Sequence, residues 1–398
     1  MDYYHLSYDQ LLADLYEAYK EARRHKRNKH YQLKFEEEME INLNQLCTEL
    51  YTHTYKASPS ECFVIRDPKV REVFAASFRD RIVHHLYFSY VHEMLERTFI
   101  EDAYSCIKGR GTSYGVQRMQ NHIRKESMNY QHPCYVLKMD IHGYFMHIRR
   151  DKLLEVTLSQ LNKMALHRVS KYRKECWCER VDIEFVKWLS NEIIMLDPTI
   201  GCIMKGSPKA WKSLPDSKSL FCSLPGCGLP IGNLTSQFYS NVYMNVFDQW
   251  MKRSIGARHY GRYVDDFYVV SCDKEWLHRI IPEIEKFLAN ELNLKLNHGK
   301  TMICNVRFGV EYLGVYLKPG RTYVANKSLH HLEKRISELE QTISNTDPEH
   351  LRSSLSSILG VMRHHSSWHL RQRLLHERLF QFCNYGSFDN DLTKFSLL

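Results

Sequence analysis

Two adjacent carboxylates, Asp265 and Asp266, stand between apolar residues in the run Tyr-Val-Asp-Asp-Phe at residues 263–267. Apolar residues on both sides predict two buried strands joined by a tight turn, where the carboxylates must be solvated, paired or metal-bound. A third aspartate, Asp140, ends the apolar strand predicted at residues 134–139. Three carboxylates are hard oxygen ligands that suit Mg²⁺, and two such ions about 3.5–4 Å apart can activate a hydroxyl and stabilise a leaving pyrophosphate. The alternative is an ordinary solvated turn, because aspartate is a common turn former.

The periodicity of apolar residues indicates which elements must position these aspartates. Strands are predicted at residues 62–65 and 70–76, as a hairpin around an Arg-Asp-Pro-Lys turn. Helical patterns and an exposed loop account for the rest: helices at 3–52, 79–95 and, mixed, 151–200; a loop at 205–225; and a helical, basic pattern from 320 to the end.

Three segments follow from these patterns, with a boundary placed near Pro319. Residues 1–60 are predicted to form an N-terminal helical extension. Residues 61–318 form the central region, with an inserted segment at about 151–225, and residues 319–398 form a helical C-terminal region.

Length and charge set limits on the class of protein. A chain of 398 residues predicts two or three tightly associated subdomains around a large core. The content of 25% charged and 43% hydrophobic residues is ordinary for a globular protein. The net charge of +9 fits a partner with a phosphate backbone without requiring one.

The twelve cysteines are scattered, with no Cys-x-x-Cys pair, which favours a reduced, cytoplasmic protein. Cys176 and Cys178 could belong to a zinc site, but their spacing misses the usual pattern, so buried free thiols are expected. The first 20 residues lack the apolar core of a signal peptide, and no stretch approaches the roughly 18 apolar residues that span a membrane. We therefore expect no membrane partner.

Several ordered segments resemble the motifs of reverse transcriptases, from about residue 63 to residue 314. Residues 263–266 resemble the family's catalytic Tyr-x-Asp-Asp, and the run Asp-Ile-His-Gly-Tyr-Phe at 140–145 resembles its first catalytic-aspartate motif. In the family, the aromatic residue five positions after that aspartate is a steric gate against a ribose 2′-hydroxyl. Phe145 occupies this position, although a core aromatic is the plain alternative.

Four further segments occur in the order of the family's motifs. Residues 69–83 resemble the fingers segment, residues 104–111 the motif that contacts the incoming triphosphate, residues 296–301 the palm motif with its lysine, and residues 311–314 the primer grip. The resemblance implies nucleotide contacts by Arg71, by either Lys108 or Arg110, and by Lys300, and primer or template contacts by Tyr312, Leu313 and Gly314.

The resemblance implies an α+β right-hand polymerase that acts as an RNA-directed DNA polymerase. Fingers and a palm with an antiparallel sheet would lie within residues 61–318, and residues 319–398 would form a helical thumb. Asp140, Asp265 and Asp266 would be catalytic and bind two Mg²⁺ ions, with Mn²⁺ as a substitute. The basic helical pattern of the thumb implies backbone contacts with the duplex, through Arg363, His364 and Arg371.

The segment Gly-Leu-Pro-Ile-Gly-Asn-Leu-Thr-Ser-Gln at 228–237 departs from the common nucleotide-pocket motif, which has glutamine before the second glycine and ends in Ser-Pro. Here Ile231 precedes Gly232, and Gln237 follows the serine. This pattern resembles the reverse transcriptases of diversity-generating retroelements, which copy a template-repeat RNA into cDNA with errors opposite adenines. An aliphatic pocket residue cannot hydrogen-bond the nucleotide, so we predict weaker discrimination against mispairs, whereas a plain core isoleucine is the alternative.

This subtype implies specific partners: a retroelement RNA, its cDNA product, dNTPs, and a small, basic, oligomeric accessory variability protein. It also implies the cytoplasm of a bacterial, archaeal or phage-infected cell. Two other functions stay open. One is a group II intron-like or antiviral-defence reverse transcriptase without a mutagenic role. The other is an idle RNA-binding scaffold, which the three intact aspartates argue against because clustered carboxylates are costly to bury.

Overall fold

The computed structural model describes residues 4–24, 29–66, 69–169, 175–343 and 346–398, and these have a mixed α+β fold, as predicted. Asp67 and Pro68 of the predicted hairpin turn lie outside the described residues. The α-helices are α1 (Tyr8–Arg23), α2 (His30–Glu36), α3 (Met39–Tyr51), α4 (Phe78–Glu96), α5 (Thr112–Glu126), α6 (Tyr144–His147), α7 (Arg150–Ala165), α8 (Ile183–Ile194), α9 (Pro208–Lys212), α10 (Leu234–Arg253), α11 (Lys274–Leu292), α12 (Asn326–Thr342), α13 (Pro348–Arg363) and α14 (Trp368–Leu374).

The strands form four small sheets. They are β1 (Glu61–Ile65), β2 (Arg71–Ala75), β3 (Tyr135–Asp140), β4 (Ile203–Met204), β5 (Tyr260–Tyr263), β6 (Asp266–Ser271), β7 (Met302–Asn305), β8 (Val310–Tyr312), β9 (Val315–Lys318), β10 (Arg321–Val324), β11 (Gly386–Phe388) and β12 (Phe395–Leu397). Their orders are β5-β6-β3-β7, β2-β1-β4, β10-β9-β8 and β11-β12. The pair β3–β7 is antiparallel, with Val136 opposite Cys304.

The chain divides into two compact units. Unit 1 comprises Met1–Gly111, Met139–Phe267 and Arg279–Thr301, and unit 2 comprises Thr112–Lys138, Tyr268–His278 and Met302–Leu398. These units are interleaved along the chain and do not coincide with the three predicted segments.

In unit 1, the predicted N-terminal helices and the β1–β2 hairpin are confirmed. Helix α1 begins where the Ser7 hydroxyl accepts a hydrogen bond from the Gln10 amide, and it buries Leu11 and Leu15. Helix α10 is buried around most of its circumference, including Phe238 and Tyr243, which is typical of a helix at the centre of a core. Unit 1 is therefore built around α10.

The carboxylate of Asp80 joins the segment between α3 and β1 to the start of α4. It is buried and accepts hydrogen bonds from the Tyr55 hydroxyl at 2.8 Å, the Ser58 amide at 2.9 Å and the Ser77 hydroxyl at 2.7 Å. Ser77 also caps α4, because its hydroxyl accepts a hydrogen bond from the Asp80 amide. One side chain thus satisfies two donors from the segment between α3 and β1 and one from the residue that precedes α4.

In unit 2, α12, α13 and α14 enclose an apolar core that includes Ile336, Leu355 and Ile358. The prediction of a wholly helical chain after residue 320 was wrong, because β10, β11 and β12 are strands. Pro319 and Gly320 form the turn of the β9–β10 hairpin, so the predicted boundary falls inside a hairpin. The alternating pattern of β10 is too short to be recognised among the helical residues that follow it.

None of the described helices is long and apolar enough to cross a membrane.

We predict that Asp80→Ala lowers the free energy of unfolding by about 2–4 kcal/mol, because three donors lose a buried, charged acceptor. Urea unfolding of the whole chain measures this change. The exposed Asp216→Ala is the matched control and should change stability by less than about 0.5 kcal/mol. Equal stability of the two variants would contradict the assignment of Asp80 as a structural link.

Candidate active site

Asp140 is held at the end of β3 by the segment at residues 297–300. Its side chain is 5% exposed, and its carboxylate accepts hydrogen bonds from Lys300 Nζ at 2.7 Å and Asn297 Nδ2 at 3.1 Å. The Asn297 amide also donates to the Asp140 carbonyl at 2.8 Å. Both the main chain and the side chain of Asp140 are therefore fixed. Lys300 was predicted to contact the nucleotide, whereas Asn297, which lies in the same motif, was not among the predicted site residues.

The predicted tight turn between two strands is confirmed. Strand β5 ends at Tyr263 and β6 begins at Asp266, so Val264 and Asp265 form the connection. Val264 has φ +57°, in the left-handed region that a β-branched residue rarely adopts. The Ile141 amide donates to the Asp265 carbonyl at 3.3 Å, which places the turn beside the end of β3.

The structure brings the three predicted aspartates together around one lysine. Burial raises the pKa of Asp265, and the negative charge of Asp140 raises it further, against the opposing charges of Lys300 and Lys69. Burial by itself lowers the pKa of Lys300, but its hydrogen bond to Asp140 and the charges of all three aspartates raise it above the usual value. Lys69 was not among the predicted site residues, and its position in the sequence gave no specific signal.

The donor chemistry of this cluster fits Mg²⁺. Asp140, Asp265 and Asp266 offer only hard carboxylate oxygens, and their mutual repulsion is offset mainly by one half-exposed ammonium group. A divalent cation would favour the ionised form of Asp265, whose pKa is raised by burial and then by the charge of Asp140. Within the described part of the chain, no three His, Cys, Asp or Glu side chains already stand in metal-binding geometry.

Phe145 and Ile231, the predicted sugar gate and pocket residue, pack against the same apolar cluster. Its buried members are Cys62, Phe74, Met146 and Leu220. The main chain supports this arrangement, because the Phe74 amide donates to the Ile231 carbonyl at 2.8 Å and the Leu229 amide to the Phe145 carbonyl at 2.9 Å. The segment around Ile231 is thereby held both to β2 and to α6.

Gly232 permits the close approach of this segment to β2. Its φ is +130°, and a Cβ atom at this position would lie 2.6 Å from the Phe74 carbonyl oxygen and 2.9 Å from Val73 Cγ1. Only glycine fits both conditions. Gln237 lies further along, on α10, where its side chain is exposed and its Oε1 accepts from Cys106 Sγ at 3.4 Å.

The basic residues predicted to meet phosphates differ in their surroundings. Arg71 is exposed at the start of β2, and its charge acts on the phenol of Tyr263. The Arg110 guanidinium donates to the carbonyls of Ile100 and Ala103, both at 2.9 Å, and so stabilises its own loop. Lys108, the other alternative, is exposed.

The inserted segment is anchored to β2 by a buried carboxylate. Glu72 accepts a hydrogen bond from the Ser219 hydroxyl at 3.0 Å and from the Leu220 amide at 2.7 Å. Burial raises the pKa of Glu72 above its ordinary value. Strand β4, also in the insertion, pairs in parallel with β1. These contacts place Leu220 in the cluster that supports Phe145 and Ile231.

The predicted primer-grip residues lie in unit 2, at the turn between β8 and β9. Leu313 has φ +49° and Gly314 has φ +81°, so both adopt the left-handed conformation in this turn. Tyr312 is buried at the end of β8, where its ring meets that of Tyr268 edge-on at 5.1 Å.

The predicted basic contacts of the C-terminal region also lie in unit 2. Arg363 and His364 are exposed at the end of α13. Arg371, in contrast, is buried, and its guanidinium donates to the carbonyls of Asp391 and Leu392. Arg371 was predicted to contact the duplex backbone, but its guanidinium is buried and contacts the C-terminal segment instead.

All twelve cysteines are free, and Cys176 and Cys178 are buried thiols.

Residues 211–317 match the family model for reverse transcriptase (RNA-dependent DNA polymerase). This range includes Asp265, Asp266 and Lys300, whereas Asp140 precedes it. This segment of the chain is therefore similar to a reverse transcriptase domain, in agreement with the predicted enzyme class. The comparison with curated proteins gives no match.

Among solved structures, the chain is similar to telomerases. For apo telomerase from Candida tropicalis, the TM-score is 0.48 at 11% identity, over 81% of this chain and 59% of that one. For the same telomerase truncated from its C-terminal domain, the TM-score is 0.46 at 13% identity, over 66% and 54%. For telomerase from Candida albicans in complex with a TWJ fragment of telomeric RNA, it is 0.47 at 9% identity, over 85% and 58%. The chain thus spans between half and three fifths of each of these proteins.

We predict that Gly232→Ala lowers the free energy of unfolding by about 2–4 kcal/mol, since a methyl group would meet the Phe74 carbonyl at a positive φ. Thermal and urea unfolding measure the loss. Gly360→Ala is the matched control: it lies within α13 with open space around its Cβ position, and should gain about 0.5–1 kcal/mol. Equal responses of the two variants would contradict the proposed close approach.

Proposed function

We propose that this chain copies RNA into DNA at a site formed by Asp140, Asp265 and Asp266. The observation that supports this proposal most strongly is the meeting of these three carboxylates at the end of β3 and in the β5–β6 turn, around Lys300. They would hold two Mg²⁺ ions, which supply an activated primer hydroxyl and stabilise the leaving pyrophosphate.

The protein's own residues have separate tasks in this proposal. Asn297 and Lys300 orient the carboxylate of Asp140 before any ion binds. Phe145 excludes a ribose 2′-hydroxyl, and Ile231 and Gly232 line the nucleotide pocket beside the apolar cluster. The exposed Arg71, Lys108 and Lys69 would meet the phosphates, which is supported for Arg71 and Lys69 by the action of their charges on Tyr263 and Asp265.

The right-hand subdivision belongs to the same proposal. The hairpin β1–β2 with α4 would form fingers, strands β3, β5, β6 and β7 the palm, and the C-terminal helices the thumb. Tyr312, Leu313 and Gly314 would meet the primer, and the exposed Arg363 and His364 would meet the backbone of the duplex.

We further propose that the enzyme is the error-prone reverse transcriptase of a diversity-generating retroelement. Ile231 supports this subtype, because its side chain packs on apolar neighbours and offers the nucleotide no hydrogen-bonding group. A mispaired nucleotide would then lose little binding free energy relative to the correct nucleotide. The partners of this function are a retroelement RNA and a small, basic, oligomeric accessory protein.

We predict that Asp265→Asn reduces primer extension on an RNA template by roughly 10³-fold, because an amide in place of a carboxylate weakens metal binding worth several kcal/mol. Extension is measured with a DNA primer, dNTPs and Mg²⁺, with thermal unfolding as a check on folding. Asp9→Asn, an exposed carboxylate of α1, is the matched control and should extend like the wild type. Extension by the Asp265 variant at a similar rate would refute the assigned site.

We predict that Ile231→Gln lowers the frequency of errors at template adenines by about fivefold, which corresponds to one hydrogen bond of roughly 1 kcal/mol. Sequencing of the cDNA measures this frequency, and Ile231→Leu is the aliphatic control that should retain the errors. Unchanged errors in the glutamine variant would remove Ile231 from the fidelity mechanism. Faithful cDNA from the wild type would instead favour an intron-like or defence reverse transcriptase.

A further inference from the structure

Arg262 has the largest side chain among the fully buried residues described, with 1% exposure, and it directly precedes the catalytic turn. A buried guanidinium is costly unless its charge is paired and its donors are satisfied. Asp248 of α10, with 0% exposure, supplies the charge: its carboxylate accepts from Arg262 Nε at 2.8 Å and from Nη2 at 2.7 Å. The Tyr260 hydroxyl donates to the same carboxylate at 2.6 Å.

The remaining donors of Arg262 connect this ion pair to the turn. Nη1 donates to the Val264 carbonyl at 3.0 Å, and Nη1 and Nη2 both donate to Asn241 Oδ1 at 3.3 Å. All five N–H groups of the guanidinium therefore have acceptors. One of these acceptors is the carbonyl of the peptide that joins Val264 to Asp265.

The main chain of Arg262 is fixed as well. Its amide donates to the Asp102 carbonyl at 2.9 Å, and its carbonyl accepts from the Tyr104 amide at 2.9 Å. Asn241 is itself held, because its Nδ2 donates to the Ser105 carbonyl at 2.8 Å. Arg262 thus projects from a rigid frame made of β5, α10 and the loop at residues 102–105.

The residue whose carbonyl Arg262 holds, Val264, has a strained backbone conformation. Val264 has φ +57°, a conformation that a β-branched residue leaves readily unless its surroundings oppose the change. The Arg262 guanidinium holds the carbonyl of Val264 on one side, and the Ile141 amide holds the carbonyl of Asp265 on the other. The orientation of the Asp265 and Asp266 carboxylates follows from the direction of these two peptides.

We infer that Arg262 is a positioning residue of the polymerase site, which uses its buried pair with Asp248 to lock the Val264 peptide and so aim Asp265 and Asp266. This inference rests on the proposed function. Lysine cannot replace the arginine, because its ammonium has three donors at a single point and cannot serve Asp248, Asn241 and the Val264 carbonyl together.

The test compares Arg262→Lys with a matched Arg→Lys change elsewhere in unit 1. Arg150 is also buried, and it donates to the Asp197 carboxylate and the Leu196 carbonyl, both at 2.8 Å. Arg150→Lys therefore removes the same kind of interaction without touching the turn. Three quantities are measured in each variant: the melting temperature, hydrogen exchange of peptides covering residues 260–270, and kcat and KM for dNTP in primer extension.

The inference predicts faster exchange at residues 263–267 in Arg262→Lys, and a fall in kcat of about 10- to 100-fold with KM within about threefold. Arg150→Lys should lower the melting temperature comparably and leave the exchange at 263–267 and kcat unchanged. Equal exchange and equal kcat in the two variants would overturn the inference and leave Arg262 a structural residue.

A paired variant covers the case in which Arg262→Lys does not fold. In Arg262→Gln with Asp248→Asn, two neutral amides replace the ion pair, so no unpaired charge is buried. Faster exchange and a reduced kcat in this folded double variant would support the inference, and wild-type values of both would overturn it. If the wild type itself extends no primer, the proposed function fails, whereas the exchange comparison still decides whether Arg262 holds the turn.

Discussion

The repulsion among Asp140, Asp265 and Asp266 is the constraint on which the rest of the site depends. Carboxylates that are shielded from water and close together resist ionisation: burial raises the pKa of Asp265, and the charge of Asp140 raises it further. Lys300 offsets the repulsion among the three carboxylates. Its ammonium donates a hydrogen bond to Asp140, and its charge interacts with all three aspartates. The cluster therefore persists because surrounding residues hold it, and a bound cation would complete the balance of charge.

Two kinds of support hold the carboxylates in place. Asp140 is fixed directly, through hydrogen bonds from Asn297 and Lys300. The turn at Asp265 is fixed through its main chain, where Arg262 and Ile141 hold successive carbonyls. Two residues similarly hold segments beside β2, where the nucleotide pocket is proposed. Gly232 permits the close approach of its own segment, and the buried Glu72 anchors the segment that contains Leu220. Rigid placement of this kind is what a catalytic site requires, because small displacements of reacting groups reduce rates strongly.

The sequence predicted the parts of this arrangement that depend on local patterns. The apolar run before Asp140 and the two runs around 263–266 identify β3, β5 and β6, because buried strands have this signature. The partners of buried charges were not predictable in the same way: Asp248 precedes Arg262 by 14 residues and lies on a different element, and Lys300 follows Asp140 by 160 residues. The burial of Arg371 and the strands β10, β11 and β12 were missed for a related reason, since short segments and long-range contacts leave weak local signals.

The most direct test of the central claim is the dependence of RNA-templated primer extension on the concentration of Mg²⁺. A site of three carboxylates that binds two ions predicts no extension after chelation, recovery with Mg²⁺ or Mn²⁺, and a rate that rises more steeply than the first power of the ion concentration. Extension that continues unchanged in the presence of a chelator would contradict the account, because Asp140, Asp265 and Asp266 would then have no metal-binding role.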